Sequence, residues 1–181
     1  MEHIFRIFDF NVFNDKAQDA SSSEDEQNIN KDSSKFVIQI FGVNEKGETC
    51  SIIAEDYKPF FYVMVDDRWS TTMKNSFLDH IKTKLGKFYE NSITDCIIVK
   101  RKKLYGFDGG KEHKFIRLEF SNLQAFNKVK NFWYTNYQSG HTLLPDGYHF
   151  NGTNIKLYEA NIPPLLRFFH IRDISPSGWI A

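Results

Sequence analysis

The apolar positions of this chain change period several times, and each change marks an element. Ile4-Phe5-Arg6-Ile7-Phe8-Asp9-Phe10-Asn11-Val12-Phe13 alternates aromatic and polar residues towards its end and is rich in strand formers, which predicts a strand. Residues 14–34 contain almost nothing apolar and include Ser21-Ser22-Ser23-Glu24-Asp25-Glu26, a composition that cannot bury enough surface to order itself and predicts a disordered acidic loop. Phe36-Val37-Ile38-Gln39-Ile40-Phe41 and Thr49-Cys50-Ser51-Ile52-Ile53-Ala54 are strands joined by a short glycine-containing loop, the pattern of a hairpin.

From Phe60 the order becomes strand, helix, strand, strand, helix. Phe60-Phe61-Tyr62-Val63-Met64-Val65 is a strand, and Ser70 or Thr71 can start a helix ending at Gly86. On that helix Met73, Phe77, Leu78, Ile81 and Leu85 share one face. Strands follow over residues 95–100 and 114–120. Ser121 with Gln124 three residues on reads as a capping box for a second helix carrying Leu123, Phe126, Val129 and Trp133. Ile155-Lys156-Leu157-Tyr158 supplies a last strand, completing a ferredoxin-like βαββαβ unit. Beyond it, Asn161 can cap a helix whose first turn holds Pro163 and Pro164, and Pro176 and Gly178 end helical structure before Trp179. The expected fold class is α+β, with three regions: a β element over 1–57 containing the acidic loop, the ferredoxin-like subdomain over 58–158, and a helix with an extended segment over 159–181.

Composition adds limits. At 181 residues the chain suits one domain or two small subdomains, and 18 Phe predict an aromatic core. No apolar run approaches the roughly 20 residues needed to cross a bilayer, and the N-terminus lacks a secretory-signal pattern. Cys50 and Cys96 are isolated, which reads as two reduced thiols of an intracellular protein. The formal net charge of zero hides a division: residues 1–67 carry 6 Lys/Arg against 14 Asp/Glu, and the remainder carries 17 against 9. That asymmetry points to a nucleic-acid or partner surface in the second part.

The cationic residues cluster. Lys100, Arg101, Lys102 and Lys103 end one predicted strand, and Lys111, Lys114 and Arg117 lie along the next, so a hairpin would fold them together into a field that attracts phosphates. Four or five such contacts to a single strand imply a log–log salt slope of about −3 to −3.5. Phe60 and Tyr62 could offer one stacking pair on the first strand of the unit. The third strand, Lys114-Phe115-Ile116-Arg117-Leu118-Glu119-Phe120, lacks the Gly-Phe-Gly-Phe type of signature, so a sequence-reading RNA binder is disfavoured.

A search for chemistry is negative. His3, His80, His113, His141, His149 and His170 show no zinc-site spacing, and no Gly-rich phosphate loop or nucleophile elbow occurs. Asp66-Asp67 lies at a strand end with nothing else converging on it and reads as a solvated terminus. No catalytic or metal-binding residue is expected.

The block Tyr158-Glu159-Ala160-Asn161-Ile162-Pro163-Pro164-Leu165-Leu166-Arg167-Phe168-Phe169-His170, followed by Ser175-Pro176-Ser177-Gly178-Trp179-Ile180, resembles the end of the N-terminal domain of family B DNA-directed DNA polymerases, particularly the delta-like enzymes of large eukaryotic DNA viruses. Phe36 to Gly47, Lys100 to Phe107 and Leu123-Gln124-Ala125-Phe126 carry the same resemblance, which covers nearly the whole chain apart from the acidic loop. It implies a partial OB-like barrel beside an RNA-recognition-like subdomain. It also implies a non-catalytic part of a nucleotidyltransferase whose 3'-5' exonuclease and polymerase motifs, and whose Mg2+, belong to other domains. The implied role is to scaffold the exonuclease domain and contact template single-stranded DNA. Partners would be template DNA and the exonuclease and polymerase domains of the same or a split polypeptide, with no membrane, inside the cell at sites of replication (host nucleus or cytoplasmic virus factory). Arg167, Phe168, Phe169 and Trp179 would form an exposed interdomain docking patch. The template-base pocket of archaeal relatives does not transfer to any residue here. The alternative is a stand-alone single-strand-binding or protein-interaction module.

Overall fold

The computed structural model describes residues 4–15, 33–103, 106, 108–136, 138 and 140–180. The acidic segment at 16–32, and Leu104, Tyr105 and Phe107 of the basic hairpin, lie outside the described residues. The architecture is α+β: two antiparallel sheets, one a half-barrel, with three α-helices.

The half-barrel sheet has the order β3-β2-β1-β9, built from β1 (Phe5–Asp15), β2 (Lys35–Val43), β3 (Thr49–Ala54) and β9 (Trp179–Ile180). β2 and β3 form the expected hairpin, and Asn44 closes it by accepting the Lys46 and Glu48 amides on its side-chain oxygen. β9 returns to the opening strand, pairing Phe5 with Ile180 and Arg6 with Trp179.

The second sheet has the order β5-β6-β4-β8-β7. Its strands are β4 (Phe60–Val65), β5 (Ile93–Lys102), β6 (Glu112–Phe120), β7 (Tyr148–Phe150) and β8 (Thr153–Tyr158). With α1 (Thr71–Leu85) after β4 and α2 (Leu123–Lys130) after β6, the βαββαβ succession read from the sequence is present, with β7 added at the edge. Ser70 caps α1 through the Met73 amide and Gly86 ends it at φ 93°, a conformation that favours glycine. The cap of α2 corrects the expected capping box. Asn122, fully buried, accepts the Ala125 amide, while the Gln124 side chain turns outwards to Asn14.

β4 divides its side chains between two cores, as a strand of period two must when both faces are covered. Phe61, Val63 and Val65 join Phe77, Ile81, Ile116, Leu118, Phe120, Phe126 and Trp133 beneath α1 and α2. Phe60 joins Phe5, Ile7, Phe36, Ile38, Ile40 and Tyr57 inside the half-barrel.

α3 (Pro164–Ile171) covers that second core. Pro163 occupies the cap position with no side-chain bond, and Asn161, expected to cap, instead accepts from the Tyr134 hydroxyl. Phe168 and Phe169 are buried in the chain's own interior: Phe168 meets Tyr57 at 5.4 Å and Phe169 meets Phe10 at 5.4 Å, both edge to face. The expectation that both present a docking surface is therefore corrected. An open half-barrel has one apolar face to cover, and the tail helix supplies the cover itself.

Candidate nucleic-acid interface

The basic cluster forms on one antiparallel ladder, in which Lys100 faces Lys114, Arg101 faces His113 and Lys102 faces Glu112. The seven cations proposed from the sequence separate into two groups. Lys100, Arg101, Lys102 and Lys111 are exposed and make no ion pair among the described residues.

The other three are engaged by the fold. Lys103 reaches Asp108 at 3.2 Å, and His113 bonds to the same carboxylate. Those two donors, His113 first, hold the Asp108 carboxyl below its ordinary range. Lys114 Nζ donates to the backbone carbonyls of Asp67 and Trp69, so it fastens the β4–α1 connection to β6. Arg117 pairs with Glu119 at 2.9 Å, with its guanidinium 5.3 Å from the centre of the Phe60 ring. These three have intramolecular work, and the first four are the members of the cluster left exposed and without an ion pair among the described residues.

Arg167, at 6% exposure, donates to the Glu159 carboxylate at 2.9 Å and to the Glu159 carbonyl at 2.6 Å, and stacks over Phe60 at 4.5 Å. It therefore locks α3 to the end of β8. Of the four residues proposed for docking, Trp179 alone is open, at 54% exposure, with Ile162, Leu166 and Ile171 also exposed near the tail.

Sequence reasoning missed the environment of Tyr62, Phe115 and Tyr158. All three lie on the sheet face opposite α1 and α2, on adjacent strands β6, β4 and β8. Phe115 meets Tyr158 at 5.3 Å and Tyr62 at 6.3 Å. The alternation of Phe115 with buried Ile116 and of Tyr158 with Leu157 was the available signal. Asp66 pairs with Arg68 at 2.9 Å, which, chiefly through the side-chain hydrogen bond, lowers its pKa. Among the described residues no three His, Cys, Asp or Glu side chains converge on a metal-sized site, and no helix is long and apolar enough to cross a membrane.

Comparison with known proteins gives this arrangement its context. Residues 56–127 match the family model described as DNA polymerase delta catalytic subunit-like, N-terminal domain. The chain is 46% identical over 180 residues to a DNA polymerase of Phaeocystis pouchetii virus, an alignment covering 97% of this chain and 17% of that protein. It is 28% identical over 159 residues to a DNA polymerase of Pyramimonas orientalis virus, covering 87% and 12%. Against the DNA polymerase delta catalytic subunit of Schizosaccharomyces pombe the identity is 25% over 143 residues, covering 79% and 12%. The family B DNA polymerase of Pyrobaculum calidifontis has the same fold over 96% of this chain and 17% of its own, with a TM-score of 0.56 at 14% identity. The chain spans between a tenth and a sixth of the length of these curated relatives.

Proposed function

Because this chain belongs to the N-terminal domains of family B, delta-like DNA polymerases, we propose that it serves replication without performing its chemistry: it holds single-stranded template DNA and braces the exonuclease domain. The observation that carries the strand-binding part is the β5–β6 hairpin, where Lys100, Arg101 and Lys102 on the ladder and Lys111 in the turn before β6 stand exposed and without an ion pair among the described residues. Cations already satisfied by carboxylates release few counterions on meeting phosphate; these four are unencumbered.

Bracing has separate support. The arm from α3 to β9 is fixed to this chain by Phe168, Phe169 and Arg167, and it carries Trp179, Leu166 and Ile171 outwards at more than half exposure. A scaffold needs such an arm: inner side chains that set its position, and outer ones that engage a neighbour. The ferredoxin-like sheet beside an OB-like half-barrel fits the same reading.

The test is oligonucleotide binding across a salt series with the purified chain. Four phosphate contacts give a log–log slope of about −2.8. Replacing Lys100, Arg101, Lys102 and Lys111 by Ala should flatten it towards zero, whereas replacing Lys114 should lower stability first. A slope unchanged by the four-residue variant overturns the strand-binding reading, and primer extension by the chain alone overturns the non-catalytic one.

A further inference from the structure

One acid works inside the cationic hairpin. Asp108 lies in the connection between β5 and β6, five residues after Lys103 and five before His113, and its carboxylate accepts from both. We propose that Asp108 is an internal competitor for DNA phosphate: it withholds Lys103 and His113 from a bound strand and so limits how tightly the hairpin holds it. The proposal rests on the strand-contact reading above and adds a restraint to it.

The chemistry of the contact carries the argument. Lys100, Arg101, Lys102 and Lys103 are consecutive, yet only the first three are open, because Lys103 is held by Asp108 at 3.2 Å. The same Oδ2 meets His113 Nε2 on β6, so one oxygen takes donors from both sides of the hairpin. An anionic oxygen between an ammonium and an imidazole N–H is what a phosphate would supply at the same place. The two donors, His113 first, keep the Asp108 carboxyl below its ordinary range, so it competes as a charged group at neutral pH.

The setting makes this competitor a weak one. The side chains of Lys103, Asp108 and His113 are 20%, 28% and 19% exposed, and ion pairs this open to water are screened. Such a contact trims affinity by a factor of about 2 to 5. That suits a surface across which template has to move, where four open cations already supply the attraction. The other acid of the hairpin, Glu112, faces Lys102 across the ladder but is exposed and makes no ion pair among the described residues. Glu112 therefore carries the same charge on the same hairpin without holding a cation, which makes it the control for Asp108.

The experiment is fluorescence anisotropy of a labelled oligodeoxythymidine on the full chain across a salt series, for the parent, Asp108→Asn and Glu112→Gln. Both variants remove one negative charge, but only Asp108→Asn releases a lysine. It should bind about 2- to 5-fold more tightly than Glu112→Gln at equal salt, with a log–log slope steeper by about 0.7 for the added phosphate contact. Adding Lys103→Ala to Asp108→Asn should return the slope to the parent's value. Lys103→Ala alone should leave the parent's slope unchanged, a comparison that does not depend on the folding of Asp108→Asn. Binding by Asp108→Asn no tighter than by Glu112→Gln overturns the competitor, while a salt-dependent parent keeps the strand-contact reading standing. A slope flattened by Lys103→Ala alone also overturns it, since that lysine would already be meeting phosphate. A parent without salt-dependent binding overturns both.

Discussion

Phe60 and Phe61 are consecutive on β4, and their rings enter different cores: Phe61 meets Phe120 and Phe126 at 5.3 Å each, while Phe60 lies under the Arg167 guanidinium at 4.5 Å. One strand thus welds the half-barrel to the five-stranded sheet. Phe61 is fully buried, so Phe61→Ala leaves a cavity among aromatic neighbours that cannot collapse into it. The expected loss is about 3–5 kcal/mol, a large share of a stability of roughly 5–15 kcal/mol. Urea unfolding should show the midpoint falling with the m-value unchanged.

Arg167 is buried and its partner Glu159 is partly exposed, so the pair is asymmetric. Glu159→Gln removes the counter-charge of a buried guanidinium and leaves it neutral acceptors alone, the backbone carbonyl of residue 159 and the amide oxygen of the new side chain. Partial exposure of the carboxylate discounts the cost to about 1–3 kcal/mol. Adding Arg167→Met should recover part of it, since an apolar side chain over Phe60 needs no counter-charge. A double variant no better than Glu159→Gln alone would show that the guanidinium itself, through its ring stacking, is what α3 requires.

The sequence made the βαββαβ order readable because each element there has its own period and its own punctuation: the apolar face of α1 between Ser70 and Gly86, and the apolar runs of β4 and β6. The tail was harder. Leu165, Leu166, Phe168 and Phe169 state that something must cover them, but a string of apolar residues does not say whether the cover is the chain's own. The half-barrel's need for a lid decides it, and that need exists only once β1 and β2 have paired. The basic cluster was legible as a cluster; which cations remain free depends on Asp108, Glu119 and two backbone carbonyls brought in by tertiary structure. The aromatic face was legible only in part, since Tyr62, Phe115 and Tyr158 meet through strand order, which local sequence does not encode.

Gly147 gives a backbone prediction. Its φ is 80°, and a Cβ there would stand 2.3 Å from the Ile155 carbonyl oxygen, a backbone atom of β8 that cannot swing aside. Gly147→Ala combines a left-handed conformation, costing about 1–2 kcal/mol, with a steric collision, so the loss should exceed that figure. Trp133 is the local reporter, because its indole N–H donates to the same Ile155 carbonyl at 2.8 Å. Tryptophan fluorescence should shift to the red in this variant before global unfolding. Gly152→Ala, at φ 72° with open space around it, should cost only the conformational part.

Alkaline pH should weaken the fold through two buried acids. Burial pushes the Cys96 thiol from 9.0 up to about 11 and the Tyr57 hydroxyl from 10.0 up to about 12. The folded state therefore keeps both protons at a pH where the unfolded chain has begun to lose them. Fewer protons bound in the unfolded state make stability fall as pH rises, so each contribution is intact below the unfolded value and lost as pH passes through the folded one. For Cys96 the window is pH 9 to 11, and two pKa units correspond to about 2–3 kcal/mol. Urea unfolding at a series of alkaline pH values should give a steep decline for the parent chain and a shallower one for Cys96→Ala across that window. The comparison is of slopes, so the constant cost of the small cavity in the variant drops out. Equal slopes would mean that the thiol is hydrated in the folded protein, contrary to its buried place on β5 in the core beneath α1.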